Sequence, residues 1–130
     1  MFNNFLVSII LLALVSGCGY RPIGFTNWEQ WSTYDKAAYG AAWVARGADI
    51  LQTRYVYDHP NQFEETNFIV NGLCDNKDCA TAVLVGSEIL VGLAVDKLPP
   101  TWRSGLLTFE AGKNAALVFN ADSIGVKFAW

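Results

Sequence analysis

Charge is missing from the first eighteen residues and is thin everywhere else, with Asp, Glu, Lys and Arg together making up 16% of the chain. The nine basic residues stand singly, so there is no polybasic stripe of the kind that holds nucleic acid or anionic lipid. Histidine occurs once, at His59 beside Pro60, in a turn rather than a cleft. That leaves little for a zinc site or a histidine-activated nucleophile. There is no G-x-S-x-G elbow and no glycine-rich phosphate loop. Internal repeats and low-complexity tracts are absent as well. No metal or cofactor is therefore expected, and no catalytic residue is assigned. What the chain has instead is apolar mass: 52% hydrophobic and 14% aromatic over 130 residues, enough for one domain. The net charge of -3 belongs entirely to the part after Cys18.

Residues 1–17 read as a secretory signal. The run Phe5–Val15 holds only Ser8 as a polar residue, and Ser16 and Gly17 precede a cysteine. The run is well short of the roughly 20 residues that a helical span needs. Its "MFNN" start lacks Lys or Arg, a departure from the usual signal. The stretch "LVSGC", Leu14 to Cys18, resembles the lipobox of bacterial lipoprotein signal peptides. That resemblance implies cleavage before Cys18 and acylation of its thiol and new amino group. Two or more acyl chains, at about 0.8 kcal/mol per buried CH₂, hold a protein stably where one would not. Gly19, rather than aspartate, at the second mature position implies the outer membrane over the inner. The competing reading is an uncleaved membrane helix with an incidental cysteine.

Three cysteines is an odd number for an exported chain. Giving Cys18 to lipid leaves Cys74 and Cys79 in "CDNKDC", whose four polar intervening residues allow a tight turn and a structural disulfide. Reduced thiols are the alternative. A metal or redox pair is a weaker one, because a second Cys/His pair is lacking and redox motifs usually space their cysteines by two.

The mature chain reads as mainly α: a small three-helix domain over 33–130, preceded by a lipidated tether at 18–32 and closed by a short extended tail. Trp28, Trp31, Tyr34 and Ala38 recur at helical steps, Ser32 or Thr33 is a candidate cap, and Pro60 is a stop. These signals predict a first helix over 33–57. A polar, turn-rich linker follows. The apolar run 80–95 fits either a helix or a strand, and its length decides for helix. Pro99 and Pro100 end it and open a third helix over 101–119. In "ADSIGVKFAW" the residues Ile124, Val126, Phe128 and Trp130 alternate with smaller or polar ones, as in a strand. The tail also resembles the terminal strand of outer-membrane barrels. A chain this short would need nearly every residue in strands to close a barrel, so a tail packed on helices is expected.

Charged and polar side chains break the apolar faces at a few places. Arg46, Asp49, Gln52 and Thr53 lie within reach of one another on the first helix, Glu65 and Asn67 in the linker, Glu88 alone on the second helix, and Arg103 and Glu110 on the third. The order D-x-x-Q-T, E-x-N, LP, WR, Glu and IG resembles a group of small uncharacterised proteins of bacteriophages and proteobacteria, often membrane-associated. The matching residues are Asp49, Gln52, Thr53, Glu65, Asn67, Leu98, Pro99, Arg103, Glu110, Ile124 and Gly125, across 34–130. Phe68 stands where the group tends to have proline, the cysteine pair is particular to this chain, and the spacing after Glu110 is longer. The resemblance implies a phage or prophage setting and a shared polar network, with no activity to carry over.

A charge on an apolar face needs a partner, because an unpaired buried charge costs several kcal/mol. Asp49 with Arg46 or Arg103, and Glu110 with Lys113, are the expected pairs. Taken together, the sequence predicts a lipid-anchored interaction protein of the envelope, facing the periplasm. Its expected partners are the bilayer, through acyl chains, and an envelope protein, with modulation of lysis or superinfection as the setting. The alternatives are a membrane-embedded hydrolase or ion-binding protein using Asp49, Glu65 and Glu110, and a virion component with an uncleaved signal.

Overall fold

Three long helices carry the fold. The computed structural model describes residues 21–65 and 67–128, and among them there is no strand. The expected signal, Cys18 and the last two residues lie outside the described residues. Helix α1 is Thr33–Asp58, α2 Phe68–Leu73, α3 Lys77–Asp96 and α4 Pro100–Ser123, with a 3₁₀ turn at Trp28–Gln30 before them. The mainly α, three-helix expectation holds, with α2 as a short addition inside the linker.

Local chemistry explains the boundaries. Ser32 caps α1 through a reciprocal pair: its hydroxyl accepts from the Asp35 N–H at 3.0 Å, and the Asp35 carboxylate accepts from the Ser32 N–H at 3.2 Å. Asn76 caps α3 by accepting from the N–H groups of Asp78 and Cys79. Pro100 opens α4, where a missing N–H costs nothing. Cys74 and Cys79 form a disulfide across this turn, with Cα atoms 5.4 Å apart. The Tyr57 hydroxyl donates to the Cys74 carbonyl, tying the turn to the end of α1.

Helix α1 is the centre. It packs most extensively on α4 and next on α3, whereas α3 and α4 touch each other little. Contacts from Asp35 to Ser104 and from Gln52 to Val118 set α1 and α4 parallel. Trp31 to Asp96 at one end and Arg54 to Asp78 at the other set α3 antiparallel to both. The bundle therefore has two distinct ends. At the first, Phe25, Trp28, Trp31, Tyr39, Val95 and Leu107 form an apolar cluster. At the second, Ile50, Val70, Cys74, Ala80 and Leu84 form another.

Two expectations need correction. The described part of the tether, from Arg21, is built into the core rather than slung from it: Phe25, Trp28 and Trp31 are buried. The reason is Asp96, whose carboxylate accepts from the N–H of Thr26 and of Asn27 and from the Trp31 indole. In the C-terminal stretch, the helix runs on to Ser123 instead of yielding at 119. Gly125, at a φ of 88°, then turns the chain so that the Val126 N–H reaches the Ala121 carbonyl and Val126 is buried.

Candidate functional site

Between the two apolar clusters lies an ionic layer built on Arg46. Its guanidinium donates in three directions: to Asp49 on its own helix at 2.6 Å, to Glu88 of α3 at 3.1 Å, and to Glu110 of α4 at 3.3 Å. Only arginine has a planar fork of donors that can serve three carboxylates at once. Lys113 adds a second cation, 2.6 Å from Glu110. Asn114 donates to Glu88 at 3.3 Å and to the Ala42 carbonyl at 3.4 Å. Arg46 is 5% exposed and Glu88 1%, so the Arg46–Glu88 pair is little screened by solvent, whereas Lys113 on the outer side of the cluster is partly exposed. Three carboxylates face two cations. Glu88 Oε1 and Asn114 Oδ1 have no hydrogen-bond partner among the described residues.

The expected pairs Asp49–Arg46 and Glu110–Lys113 are present. The pair Asp49–Arg103 is not. Arg103 sits at the start of α4, at the other end of the bundle, where it donates to the Val95 and Leu98 carbonyls and lies 5.2 Å from the Trp31 ring. A cation there complements the C-terminus of α3, which gives the LP–WR pattern a structural role as the lock of the α3–α4 hairpin. Asn67 also stands apart from the ionic layer. Its side chain caps α2 through the N–H groups of Ile69 and Val70, and its own N–H donates to Glu65 at 2.7 Å.

Glu88 was read from the sequence as solitary, yet it joins α3 to the centre. Position explains the omission, since its partners lie 42 and 26 residues away in the chain. Asp96 also lies outside the expected network, although it holds the segment before α1. The signal available for Asp96 is an acid at a helix C-terminus, where the helix dipole disfavours it unless donors from elsewhere hold it.

Below the ionic layer, toward the disulfide end, an open cavity of about 220 Å³ is lined by Asp49, Gln52, Thr53, Glu65, Leu117 and Asn120 among others. Glu110 is not part of its lining, so the three carboxylates weighed as a catalytic set do not converge on one space. Gln52 spans to α4, donating to the Val118 carbonyl at 3.1 Å, while its buried Oε1 has no hydrogen-bond partner among the described residues. Among the described residues no three His, Cys, Asp or Glu side chains gather as a metal ion would require. At the surface of this end, the Lys77 ammonium holds the Asp58 carboxyl below the usual carboxylate range, chiefly by a direct hydrogen bond at 2.7 Å. Comparison with known proteins adds no relative: no family model, no curated protein and no solved structure matches the chain.

Proposed function

We propose that this chain is a non-enzymatic interaction protein of the cell envelope, anchored through lipid on Cys18, with a polar core that sets its shape. The observation that supports the structural half is Arg46, which ties Asp49, Glu88 and Glu110 of three helices into one ion-paired network. The anchor rests on "LVSGC". The resemblance to small phage and proteobacterial proteins supports a setting in which the host envelope is modified, by superinfection exclusion or lysis control.

Two measurements test this. Cys18→Ser should leave an unprocessed precursor that takes up no labelled palmitate, and undiminished acyl labelling in that variant removes the anchor. Asp49→Asn and Glu110→Gln should each lower thermal stability, with non-additive effects in the double variant because both partner Arg46. Variants that stay stable while the phage-exclusion or lysis phenotype vanishes would favour ion binding in the cavity beside Asp49 and Gln52 instead.

A further inference from the structure

Between its two buried apolar clusters the bundle holds charged groups inside, while large apolar groups lie on its outer surface: Leu90 is 67% exposed, Phe109 66% and Phe119 74%, with Val44, Ile89, Leu106 and Leu117 also on the surface. Large exposed apolar surface of this kind marks a membrane or partner contact when it is continuous. Each long helix repeats the pattern. Between Lys36 and Arg54 of α1 the only charges are Arg46 and Asp49, both turned into the ionic layer. Between Asp78 and Asp96 of α3 the only charge is Glu88, which is buried. Between Arg103 and Asp122 of α4 there are only Glu110 and Lys113. The Lys113 side chain is 39% exposed, but it is paired with Glu110 and has a methylene stem long enough to run along an apolar surface.

The remaining charges mark two rims. Lys36 and Lys97 stand at the Asp96 end, and Arg54, Asp58, Lys77, Asp78 and Asp122 at the disulfide end. The distance between the rims matches a bilayer: the 20-residue α3 is about 30 Å long, the thickness of the hydrocarbon core. Helix α3 is long and apolar enough to cross a membrane by length and composition, and only 28% of its apolar window is buried inside the bundle. The core helix of a soluble protein would be mostly buried. The flanking helices carry more charge, and they direct it at one another, as ionisable groups inside a membrane do. Trp102, exposed in the first turn of α4, sits where an aromatic belt would lie.

We infer that the outer surface of this bundle lies against the acyl chains of a bilayer, with the Asp96 end and the disulfide end at opposite water faces. This deepens the envelope reading by naming the partner of the apolar surface. The full chain, purified with the Cys74–Cys79 bridge intact, is reconstituted in vesicles of phosphatidylethanolamine and phosphatidylglycerol. A nitroxide is placed on Leu90→Cys, Phe109→Cys, Lys36→Cys or Asp122→Cys, one at a time, with the parent protein as blank. Collisions with oxygen, which concentrates in lipid, and with a water-soluble nickel chelate are then compared. The ratio of oxygen to nickel collisions should be several-fold higher at 90 and 109 than at 36 and 122. Free access of nickel at 90 and 109 would overturn the proposal by showing water there. Exclusion of both reagents would overturn it too, by showing a second copy or another protein on that face. Intact mass of the same samples reads acylation at Cys18 separately, so the anchor can fail while the collision ratios stand.

Discussion

Arg46 is the residue on which three helices converge, and its removal should be felt more than that of any single acid it serves. Arg46→Met leaves Asp49, Glu88 and Glu110 without their shared donor, and an uncompensated buried charge costs about 3–5 kcal/mol. Arg46→Lys keeps the charge but replaces a planar fork by a point, so it should recover part of that loss and no more. Denaturation in detergent micelles reads both variants. Equal stability of Arg46→Lys and the parent would mean that charge alone matters and the three-way geometry does not. Tight packing elsewhere shows at Gly92, where a Cβ would lie 2.5 Å from the Tyr39 hydroxyl and 2.9 Å from the Phe25 ring. The absent side chain lets α3 approach the aromatic cluster.

At the scale of elements, the segment before α1 is held by one carboxylate. Asp96 is fully buried and receives the N–H groups of Thr26 and Asn27, the Thr26 hydroxyl and the Trp31 indole, while Asn27 donates back to the Asp96 carbonyl at 2.8 Å. Asp96→Asn removes the charge and turns one acceptor oxygen into a donor facing donors. A charge-assisted hydrogen bond is worth about 1.5–3 kcal/mol, and a loss of that order is expected. Trp28 and Trp31 emission should shift to the red as the segment loosens. Unchanged emission and an unchanged melt would show that the aromatic cluster alone holds the segment. The long helices themselves were legible: 33–57 against Thr33–Asp58, 80–95 against Lys77–Asp96, and 101–119 against Pro100–Ser123. Their signals are local, namely Ser32, the length of the apolar run 80–95 and the proline pair. The burial of Phe25 and Trp28 was not legible, because it depends on an acid about seventy residues away. Within the ionic layer, the pairs three residues apart on one helix could be read from spacing. The arms from Arg46 to Glu88 and Glu110 could not, since only the fold brings them together.

For the whole molecule, the two ends of the bundle have a consequence for redox compartments. Cys18 precedes Arg21 by three residues in the sequence, and the described chain begins with Arg21 at the Asp96 end, where its side chain donates to the Phe25 carbonyl. The Cys74–Cys79 bridge begins α3, at the far end of a helix about 30 Å long. If the bundle crosses a bilayer, lipid and disulfide sit on opposite sides of it. Acylation at Cys18, as proposed, would place that side in the periplasm. Across an inner membrane, the two sulfurs would then face a reducing cytosol and stay apart. Across an outer membrane they would face the exterior, where the bridge persists. On the proposed anchor and a spanning bundle, carrying both modifications would fit the outer membrane rather than the inner, with the disulfide-bonded end turned to whatever arrives at the cell.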